Sequence, residues 1–417
     1  MSESQACSSS TCRFCGAALA DTVVDLGMSP LCESYVPVER VNGVERFYPL
    51  HVLVCRVCWL VQLDQYVEAD EIFSEYAYFS SYSDSWVEHS HRYADEMTQR
   101  FGLGPGSSVV ELASNDGYLL QWFVKSGIPV LGIEPAANVA VAAEERGVPT
   151  LVRFFGVELA RQLVAEGRQA DLLIGNNVLA QVPDLNDFVA GMALILDPEG
   201  VITLEFPHVL RLIDENQFDT VYHEHFSYFS LHTVATILAR HRLEVFDVEE
   251  LPTHGGSLRV YARHQADLAD PVASSVKELL VTEESFGLTD IVRYRRFASQ
   301  VEETKRGILE LLIRLKRQGA TIAGYGAPGK GNTLLNYCGI RSDFIDFTVD
   351  RNPYKQGKFL PGTHIPIYAP EEIEQQRPDY VFILPWNIQD EIVAQLAHIR
   401  EWGGQFIVPI PSAKVLR

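Results

Sequence analysis

Apolar and polar positions along the chain divide it into three segments. In the central segment, short apolar runs are separated by amphipathic stretches, a pattern typical of strands buried on both faces of a parallel sheet. These runs span residues 108–112, 130–133, 171–175 and 200–206. Residues 243–247 and 258–263 predict two further strands at one edge of the same sheet. The central segment is therefore predicted to be a doubly wound, Rossmann-like α/β domain.

Helical patterns flank this domain on both sides. Residues 83–103 predict a helix that ends at the glycine- and proline-rich run 102–106, a strong stop signal. Residues 293–317 carry an apolar stripe, which is typical of a helix packed against a core. A second α/β unit follows with a strand at 321–323 and a glycine-rich loop at 324–331. We predict an N-terminal domain at 1–80, a central domain at 81–268, and a helical connection with a second Rossmann-like domain at 269–417.

Composition limits the possible partners. The 55 acidic and 34 basic residues give a formal net charge of −21, which argues against binding to nucleic-acid phosphates. No apolar run reaches the roughly 18 residues of a membrane-spanning helix, and the first residues lack the basic and apolar regions of a signal peptide. We expect a cytoplasmic protein that binds neither nucleic acid nor membranes and whose domains suffice as a monomer.

Two CxxC pairs near the start of the chain predict a metal site. Cys12 pairs with Cys15, and Cys55 pairs with Cys58. In a reducing compartment this spacing favours a metal over disulfides, and redox pairs or unreactive cysteines are the alternatives. Four thiolates complete the tetrahedral shell of zinc and leave no position for water. The predicted zinc is therefore structural.

The loop after the first central strand has groups suited to S-adenosylmethionine. Glu111, Asn115 and Asp116 offer acceptors for the ammonium and polar groups of a methionine-type ligand, and Gly117 permits a tight turn and the close approach of a ligand. The second strand ends at Glu134-Pro135, where a carboxylate suits the two hydroxyls of a ribose. The loop lacks GxGxxG, which favours S-adenosylmethionine over NAD. The alternative is that these acids are only solvated or cap backbone groups. The predicted cofactor site also includes Ala113, Asn138 and Asn177.

The chain resembles the sugar C-methyltransferases of antibiotic deoxysugar pathways. The motifs that carry the resemblance lie at 111–120, 132–135, 177–184, 222–228, 254–259 and 325–327. The resemblance covers nearly the whole chain and implies a zinc-binding domain, an S-adenosylmethionine domain and a C-terminal Rossmann-like domain. It also implies methylation of a carbon, C-3, beside the ketone of a dTDP-4-keto-deoxysugar.

The segment 222–228 holds the candidate catalytic groups. Methylating carbon requires a carbanion equivalent, and a neighbouring ketone makes the C–H bond acidic enough for a base to take the proton. His225 is the suitable acceptor at neutral pH, and the resemblance points to the same histidine. Tyr222 is a candidate donor to the enolate oxygen, and Glu224 a candidate to orient a histidine or hold the sugar. The alternatives are a metal site at His223-Glu224-His225 and a purely structural polar cluster.

Substrate contacts are predicted in all three segments. The resemblance implies that Tyr76, with Ser80 nearby, reaches the sugar, and aromatic core packing is the alternative for Tyr76. His254 stands before Gly255-Gly256-Ser257, a loop able to approach a ligand closely, so His254 and Ser257 are further candidates. Lys330 is a candidate for holding the phosphates of the nucleotide.

Gln181 is the one departure from the family pattern. The family usually has histidine at this position, and glutamine forms hydrogen bonds but cannot shuttle a proton. Any acid–base task at this position is therefore lost in this chain, and either the histidine is dispensable or the activity is weakened.

A rival function comes from the second glycine loop. Gly324, Gly326 and Gly329 form GxGxxG after a strand, and Asp350 ends the next strand. This pattern predicts an NAD-dependent nucleotide-sugar oxidoreductase, although Pro328 stiffens the loop. A zinc-containing binding module without catalysis is the third possibility.

Overall fold

Three main β-sheets organise the fold, which a computed structural model describes over residues 10–67, 79–82, 84–267 and 271–416. The strands are β1 (Asp21–Ser29), β2 (Val36–Pro37), β3 (Tyr48–Val54), β4 (Val61–Leu63), β5 (Val109–Leu112), β6 (Val130–Ile133), β7 (Thr150–Leu151), β8 (Ala170–Asn176), β9 (Leu196–Pro207), β10 (Ser227–Tyr228), β11 (Leu243–Leu251), β12 (Ser257–His264), β13 (Ile322–Tyr325), β14 (Phe347–Val349), β15 (Lys358–Phe359), β16 (Ile367–Tyr368), β17 (Tyr380–Ile383), β18 (Gln405–Val408) and β19 (Lys414–Leu416). The α-helices are Asp84–Phe101, Leu120–Lys125, Ala137–Glu145, Val157–Ala165, Leu185–Ile195, Val209–Asp214, Leu231–Arg240, Ser274–Phe286, Ile291–Arg317, Gly329–Cys338, Glu372–Gln376 and Gln389–Gln395.

The central sheet has seven strands in the order β11-β12-β9-β8-β5-β6-β7. β5 to β9 pair in parallel, whereas β12 runs antiparallel to both β9 and β11. The two edge strands predicted from the sequence are confirmed as β11 and β12. The strand order reverses between β5 and β8, so the crevice beyond their carboxyl ends is where a ligand of a doubly wound sheet is expected to bind.

The two long helices flanking this sheet match their predicted positions. Helix Asp84–Phe101 is followed by Gly102 in the left-handed region at φ 62°, which ends it without a Cβ clash. Helix Ile291–Arg317 is capped by Asp290, whose carboxylate accepts from Val292 N at 2.9 Å. No helix in the described ranges is both long enough and apolar enough to span a membrane.

The N-terminal sheet takes one of its strands from the central segment. Its order is β1-β3-β4-β10, and β10 pairs antiparallel with β4 through Ser227 opposite Gln62 and Tyr228 opposite Val61. The predicted catalytic segment 222–228 therefore ends as a strand of the N-terminal sheet, although it belongs to the central segment of the chain.

The C-terminal sheet is a second doubly wound unit. Its order is β16-β14-β13-β17-β18-β19, with all pairs parallel except β18 with β19. β15 leaves this unit to pair with β2 of the N-terminal segment. One continuous apolar core joins N-terminal strands, the helix Ile291–Arg317 and the C-terminal sheet. The boundaries near residues 80 and 268 stay predictions, and strand pairings cross both of them.

The four predicted zinc ligands converge. Their sulfur atoms all lie within 4.8 Å of one another, and Cys12 Sγ lies 3.5 Å from Cys58 Sγ. Each CxxC closes a tight turn, in which Gly16 N donates to Cys12 O and Trp59 N donates to Cys55 O, both at 2.9 Å. A tetrahedral set of four thiolates fits zinc and is closed to water. The cluster therefore fits the predicted structural zinc.

We expect Cys55→Ser to release one equivalent of zinc per chain and to lower the melting temperature, because a hydroxyl is a poor zinc ligand. Metal content by mass spectrometry and thermal unfolding measure the two effects. Cys338→Ser is the matched control, since this buried thiol lies outside the cluster and its loss should leave the zinc in place. A wild-type protein that contains no zinc after purification would contradict the assignment.

Candidate active site

A single cavity of about 1110 Å³ lies where the three segments meet. Its walls include the carboxyl ends of β5, β6 and β8, the segment 220–225, the loop 251–254 and the second glycine loop. Among the predicted site residues, those that line it are Ser80, Ala113, Asn115, Glu134, Pro135, Asn177, Gln181, Tyr222, Glu224, His225, His254 and Lys330. Tyr76 lies outside the described residues.

The loop after β5 is strained at its cavity end. Ala113 and Asn115 have φ values of 55° and 48°, and Asn177 after β8 has a φ of 54°. Non-glycine residues seldom adopt this left-handed region, and such conformations concentrate at ligand sites. Asn115 Oδ1 accepts a hydrogen bond from Ser80 N at 3.0 Å, which fixes the entrance of the loop. The strained backbone therefore lies on both sides of the β5/β8 crevice.

Glu134 is a buried carboxylate at the end of β6. Its Oε2 accepts from Asn115 N at 2.9 Å, and its Oε1 accepts from Ala136 N at 2.8 Å. Burial raises the pKa of Glu134 to about 7, against the lowering effect of these two backbone donors. Each oxygen keeps a lone pair for a further donor. The geometry fits the two hydroxyls of a ribose.

Four predicted cofactor residues lie behind the cavity wall. Asp116 Oδ2 accepts from Ser81 Oγ at 2.5 Å and pairs with Arg146 at 3.0 Å, so it anchors the loop. Gly117 makes the expected tight turn at φ 74°, but the close neighbours of a Cβ there would be Ala143 and Val148, not a ligand. The other two residues outside the lining are Glu111 and Asn138. Burial, with the nearby Glu134 charge, raises the pKa of Glu111 well above its usual range.

His225 is oriented by the backbone and faces the cavity. Its Nδ1 lies 3.0 Å from Thr220 O, so this nitrogen carries the proton and donates it, which leaves Nε2 as the acceptor. Burial is the main cause that lowers the pKa of His225 to about 4. The imidazole is therefore neutral at physiological pH. It has the protonation state that a general base requires.

The neighbours of His225 have different orientations. The Tyr222 ring lies against the imidazole with centroids 4.0 Å apart, and Glu224 Oε1 accepts from the buried thiol of Cys32 at 3.6 Å. His223 faces the other way, with Nε2 3.3 Å from Tyr48 O. The two imidazoles point to different surroundings. The geometry does not support the reading of His223-Glu224-His225 as one metal site.

The loop 253–256 places His254 in the cavity. His254 has a left-handed φ of 55°, its ring packs edge-on against Trp86 at 5.0 Å, and its buried Nε2 has no hydrogen-bond partner among the described residues. Ser257 is different, because its hydroxyl donates to Thr253 O at 2.9 Å and it does not line the cavity. His254 therefore presents an unsatisfied polar atom to a ligand, whereas Ser257 stabilises the loop.

Two glycines of the second glycine loop pack closely against other parts of the chain. A Cβ at Gly326 would lie 2.6 Å from Pro385, and a Cβ at Gly329 would lie 2.9 Å from Cys32 Sγ. Asp350, the expected ribose ligand of a dinucleotide, accepts instead from Ala327 N at 2.7 Å. The glycines make room for neighbouring chain segments, so the loop lacks the cradle that the oxidoreductase alternative requires.

Sequence reasoning missed several cavity residues. His89 Nε2 lies 2.9 Å from Glu205 Oε2, and Arg259 Nε donates to Glu205 Oε1 at 2.7 Å. Burial alone would raise the pKa of Glu205, but the hydrogen bond from His89 and the charge of Arg259 lower it. Asn176 ends β8 with both amide atoms buried and without a partner in the described structure. No local motif marks these residues, because tertiary pairing of distant strands brings them together.

Comparisons with known proteins assign the family. The C-methyltransferase NovU of Streptomyces niveus is 40% identical over 406 residues, which cover 97% of this chain and 96% of the relative. This chain belongs to the S-adenosylmethionine-dependent C-methyltransferases. In this C-methyltransferase, residues 12–73 match a zinc binding domain, residues 86–248 a methyltransferase domain, and residues 252–411 a C-methyltransferase C-terminal domain.

Other similarities cover less of the chain. A ubiquinone biosynthesis O-methyltransferase of Methylobacterium is 33% identical over 107 residues, which cover 24% of this chain and 42% of the relative. The match to the structure of an S-adenosylmethionine-dependent methyltransferase from Clostridium acetobutylicum covers 43% of this chain and 92% of that structure, at 9% identity and a TM-score of 0.35. The match to magnesium protoporphyrin IX methyltransferase from Synechocystis covers 43% of this chain and 81% of that structure, at 16% identity and a TM-score of 0.33.

The β5/β8 crevice of the C-methyltransferase fits S-adenosylmethionine. Glu134 offers acceptors for the ribose, and Ala113 and Asn115 of the strained loop line the cavity beside it. The unpartnered Asn176 amide is a further polar group on the same wall. A buried polar atom without a partner costs free energy, which a polar ligand recovers by bonding to it.

We expect the dissociation constant of S-adenosylhomocysteine to rise as the pH falls through about 7, by at most about tenfold per pH unit, because protonation of Glu134 removes the acceptor that the ribose needs. Calorimetry between pH 5.5 and 8.5, a range of ~3 pH units that includes this pKa, measures how the dissociation constant depends on pH. Glu134→Gln should bind weakly at every pH in this range. Glu144→Gln, at an exposed site, should retain the wild-type profile. A profile that persists in Glu134→Gln would contradict the assignment.

Proposed function

We propose that this C-methyltransferase methylates a carbon beside the ketone of a dTDP-linked 4-keto-deoxysugar, with His225 as the base. The resemblance described above supports C-3 as the methylated carbon and antibiotic deoxysugar biosynthesis as the pathway. The ketone also acidifies the carbon on its other side, C-5, so chemistry alone admits both neighbours. The observation that carries the proposal is the neutral His225, with Nε2 as the acceptor, in the same cavity as the methyl-donor crevice.

The reaction needs a base, a held ketone and an aligned methyl donor. S-adenosylmethionine, when bound, supplies an electrophilic methyl group. His225 Nε2 takes the proton from the sugar carbon, and its protonation is eased by the hydrogen bond that Nδ1–H donates to Thr220 O. Tyr222 packs against the imidazole and keeps it in place. Holding the carbon in line with the methyl group supplies much of the remaining rate enhancement.

The other lining residues are proposed to bind the sugar. Glu224 accepts from Cys32 and lines the cavity, where its carboxylate is a proposed contact for a sugar hydroxyl. His254 offers its unpartnered Nε2 from the opposite loop, and Ser80 lies beside the donor site through its bond to Asn115. The proposal also retains Tyr76 as a sugar contact on the strength of the resemblance.

We expect His225→Ala to slow methyl transfer by about 100- to 10,000-fold, the usual contribution of a general base. The wild type should also exchange the α-hydrogen of the keto-sugar for deuterium in D2O, and the variant should lose this exchange in proportion. Mass spectrometry detects the product heavier by one CH2 unit, and NMR locates the methyl group at C-3 or C-5. His398→Ala, in the C-terminal segment, is the matched control. Full-speed methylation by His225→Ala would refute the assigned base.

Gln181 is proposed to bind substrate without transferring a proton. It lies in the cavity wall beside Ala180, whose carbonyl accepts from Phe226 N at 2.8 Å. We expect Gln181→His to change turnover by less than about threefold, and Gln181→Ala to raise KM more than it lowers kcat. Steady-state kinetics with the keto-sugar nucleotide test both. A large gain in kcat for Gln181→His would instead reveal a proton-transfer task that this chain has lost.

A further inference from the structure

Lys330 brings a positive charge into the cavity without a carboxylate at ion-pair distance. Its Nζ donates to the neutral Asn387 Oδ1 at 2.9 Å and lies 4.9 Å from the centroid of the Trp386 ring. Among described residues, no acidic side chain lies within ion-pair distance of Nζ. Burial lowers the pKa of Lys330, and the charge of the buried Asp219 offsets part of this effect from farther away. A largely desolvated ammonium is costly unless an anion joins it. The cavity side of Lys330 is therefore suited to a negative charge on the substrate.

Contacts hold the Lys330 loop against the catalytic segment. Lys330 is in the first turn of helix Gly329–Cys338, and Thr333 in the next turn donates its hydroxyl to Val221 O at 3.0 Å. Gly329 packs so closely on Cys32 that a Cβ would lie 2.9 Å from Sγ, and the same thiol donates to Glu224. The Lys330 backbone is thus fixed beside the chain that leads into His225.

A second route joins the side chain of Lys330 to His225. The Trp386 ring beside Lys330 donates its Nε1–H to Asp219 Oδ2 at 2.6 Å. The carbonyl oxygen of the next residue, Thr220, accepts a hydrogen bond from His225 Nδ1. The Lys330 charge also contributes to lowering the pKa of both His225 and His254, after the larger effect of burial. The ammonium therefore acts on the same part of the cavity as the base.

We propose that Lys330 is a catalytic residue whose ammonium holds the ketone oxygen as it becomes the enolate oxygen. This inference rests on the function proposed above, because it requires a ketone beside the reacting carbon. The geometric basis is the fixed juxtaposition of Lys330 with the His225 segment through Thr333, Cys32 and Trp386. An ammonium that a fixed neighbour holds at the cavity wall, without a direct ion pair among the described residues, is preorganised for an oxyanion.

The electrons balance without a further reactant. His225 Nε2 takes the proton, and the C–H electron pair forms a C=C bond while the ketone π pair moves to the oxygen near Lys330. The oxygen pair then re-forms C=O, and the carbon forms a bond to the methyl group. The C–S bond breaks in the same step and leaves a neutral thioether. The charge on the oxygen exists only between the two steps, so Lys330 lowers the energy of the intermediate.

The pyrophosphate of the nucleotide is the competing anion for Lys330, since the sequence predicts that Lys330 holds the phosphates. The two assignments differ in what the charge affects. An ammonium on pyrophosphate contributes to binding of any dTDP compound, whereas an ammonium on the enolate oxygen affects only enolisation. The binding of dTDP alone and the exchange of the α-hydrogen therefore separate them.

The test compares Lys330→Met, Lys330→Arg and the control Lys414→Met, which removes an exposed lysine of β19. The probes are dTDP, for binding, and a dTDP-4-keto-6-deoxyhexose in D2O with S-adenosylhomocysteine, for exchange without methyl transfer. We expect Lys330→Met to slow exchange and turnover by about 100- to 1000-fold with the Kd of dTDP within about twofold of wild type. Lys330→Arg should recover part of the loss because it retains the charge.

Each other outcome has a defined meaning. A dTDP affinity weakened in Lys330→Met with unchanged exchange would overturn the inference and assign Lys330 to the pyrophosphate. Exchange by Lys330→Met at the wild-type rate, or Lys330→Arg no faster than Lys330→Met, would also overturn it. Zinc content and S-adenosylhomocysteine binding check that both variants are folded. If wild type itself neither exchanges nor methylates keto-sugars, the proposed function fails, whereas an inactive His225→Ala beside an active Lys330→Met rejects this inference alone.

Discussion

The site depends on the strand pairing that fixes residues 226–228 between two domains. Phe226 accepts from Leu63 N at 3.0 Å and donates to Ala180 O at 2.8 Å, and the next two residues pair with β4. These backbone bonds fix the residue that follows His225 from both sides. The base is therefore positioned by the zinc-binding domain and the central domain together. Neither domain alone holds both partners of Phe226.

Charge in the cavity falls into two kinds. One kind is neutralised within the protein, as in Glu205 and Arg259, where each buried ion repays part of the desolvation of the other and His89 is a further partner of Glu205. The other kind has no ion pair among the described residues, as in Glu134 and Lys330, which both line the cavity. The first set gives a rigid polar wall. The second set is proposed to meet the ribose of the methyl donor and the oxygen of the sugar.

The elements that the sequence predicts well are those specified locally. The apolar runs predict the central strands, and the CxxC spacing predicts a cysteine cluster, because each signal lies within a few residues. The role of Gly117 was predicted only in part, since its turn is local but the helix that packs on it is distant. Lys330 was assigned to phosphates from its loop alone. Its nearness to His225 depends on how two α/β units dock, and no sequence period encodes that.

Gln62 connects the metal to the chemistry. Its Nε2 donates to Cys12 Sγ at 3.2 Å, and its backbone lies opposite Ser227 in the β4–β10 pair. A thiolate bound to zinc holds this donor, whereas a thiol released from zinc is free to rotate away. Loss of zinc would therefore loosen the strand beside the base as well as the cysteine cluster. The structural ion thereby supports the catalytic segment at a distance, through a single glutamine.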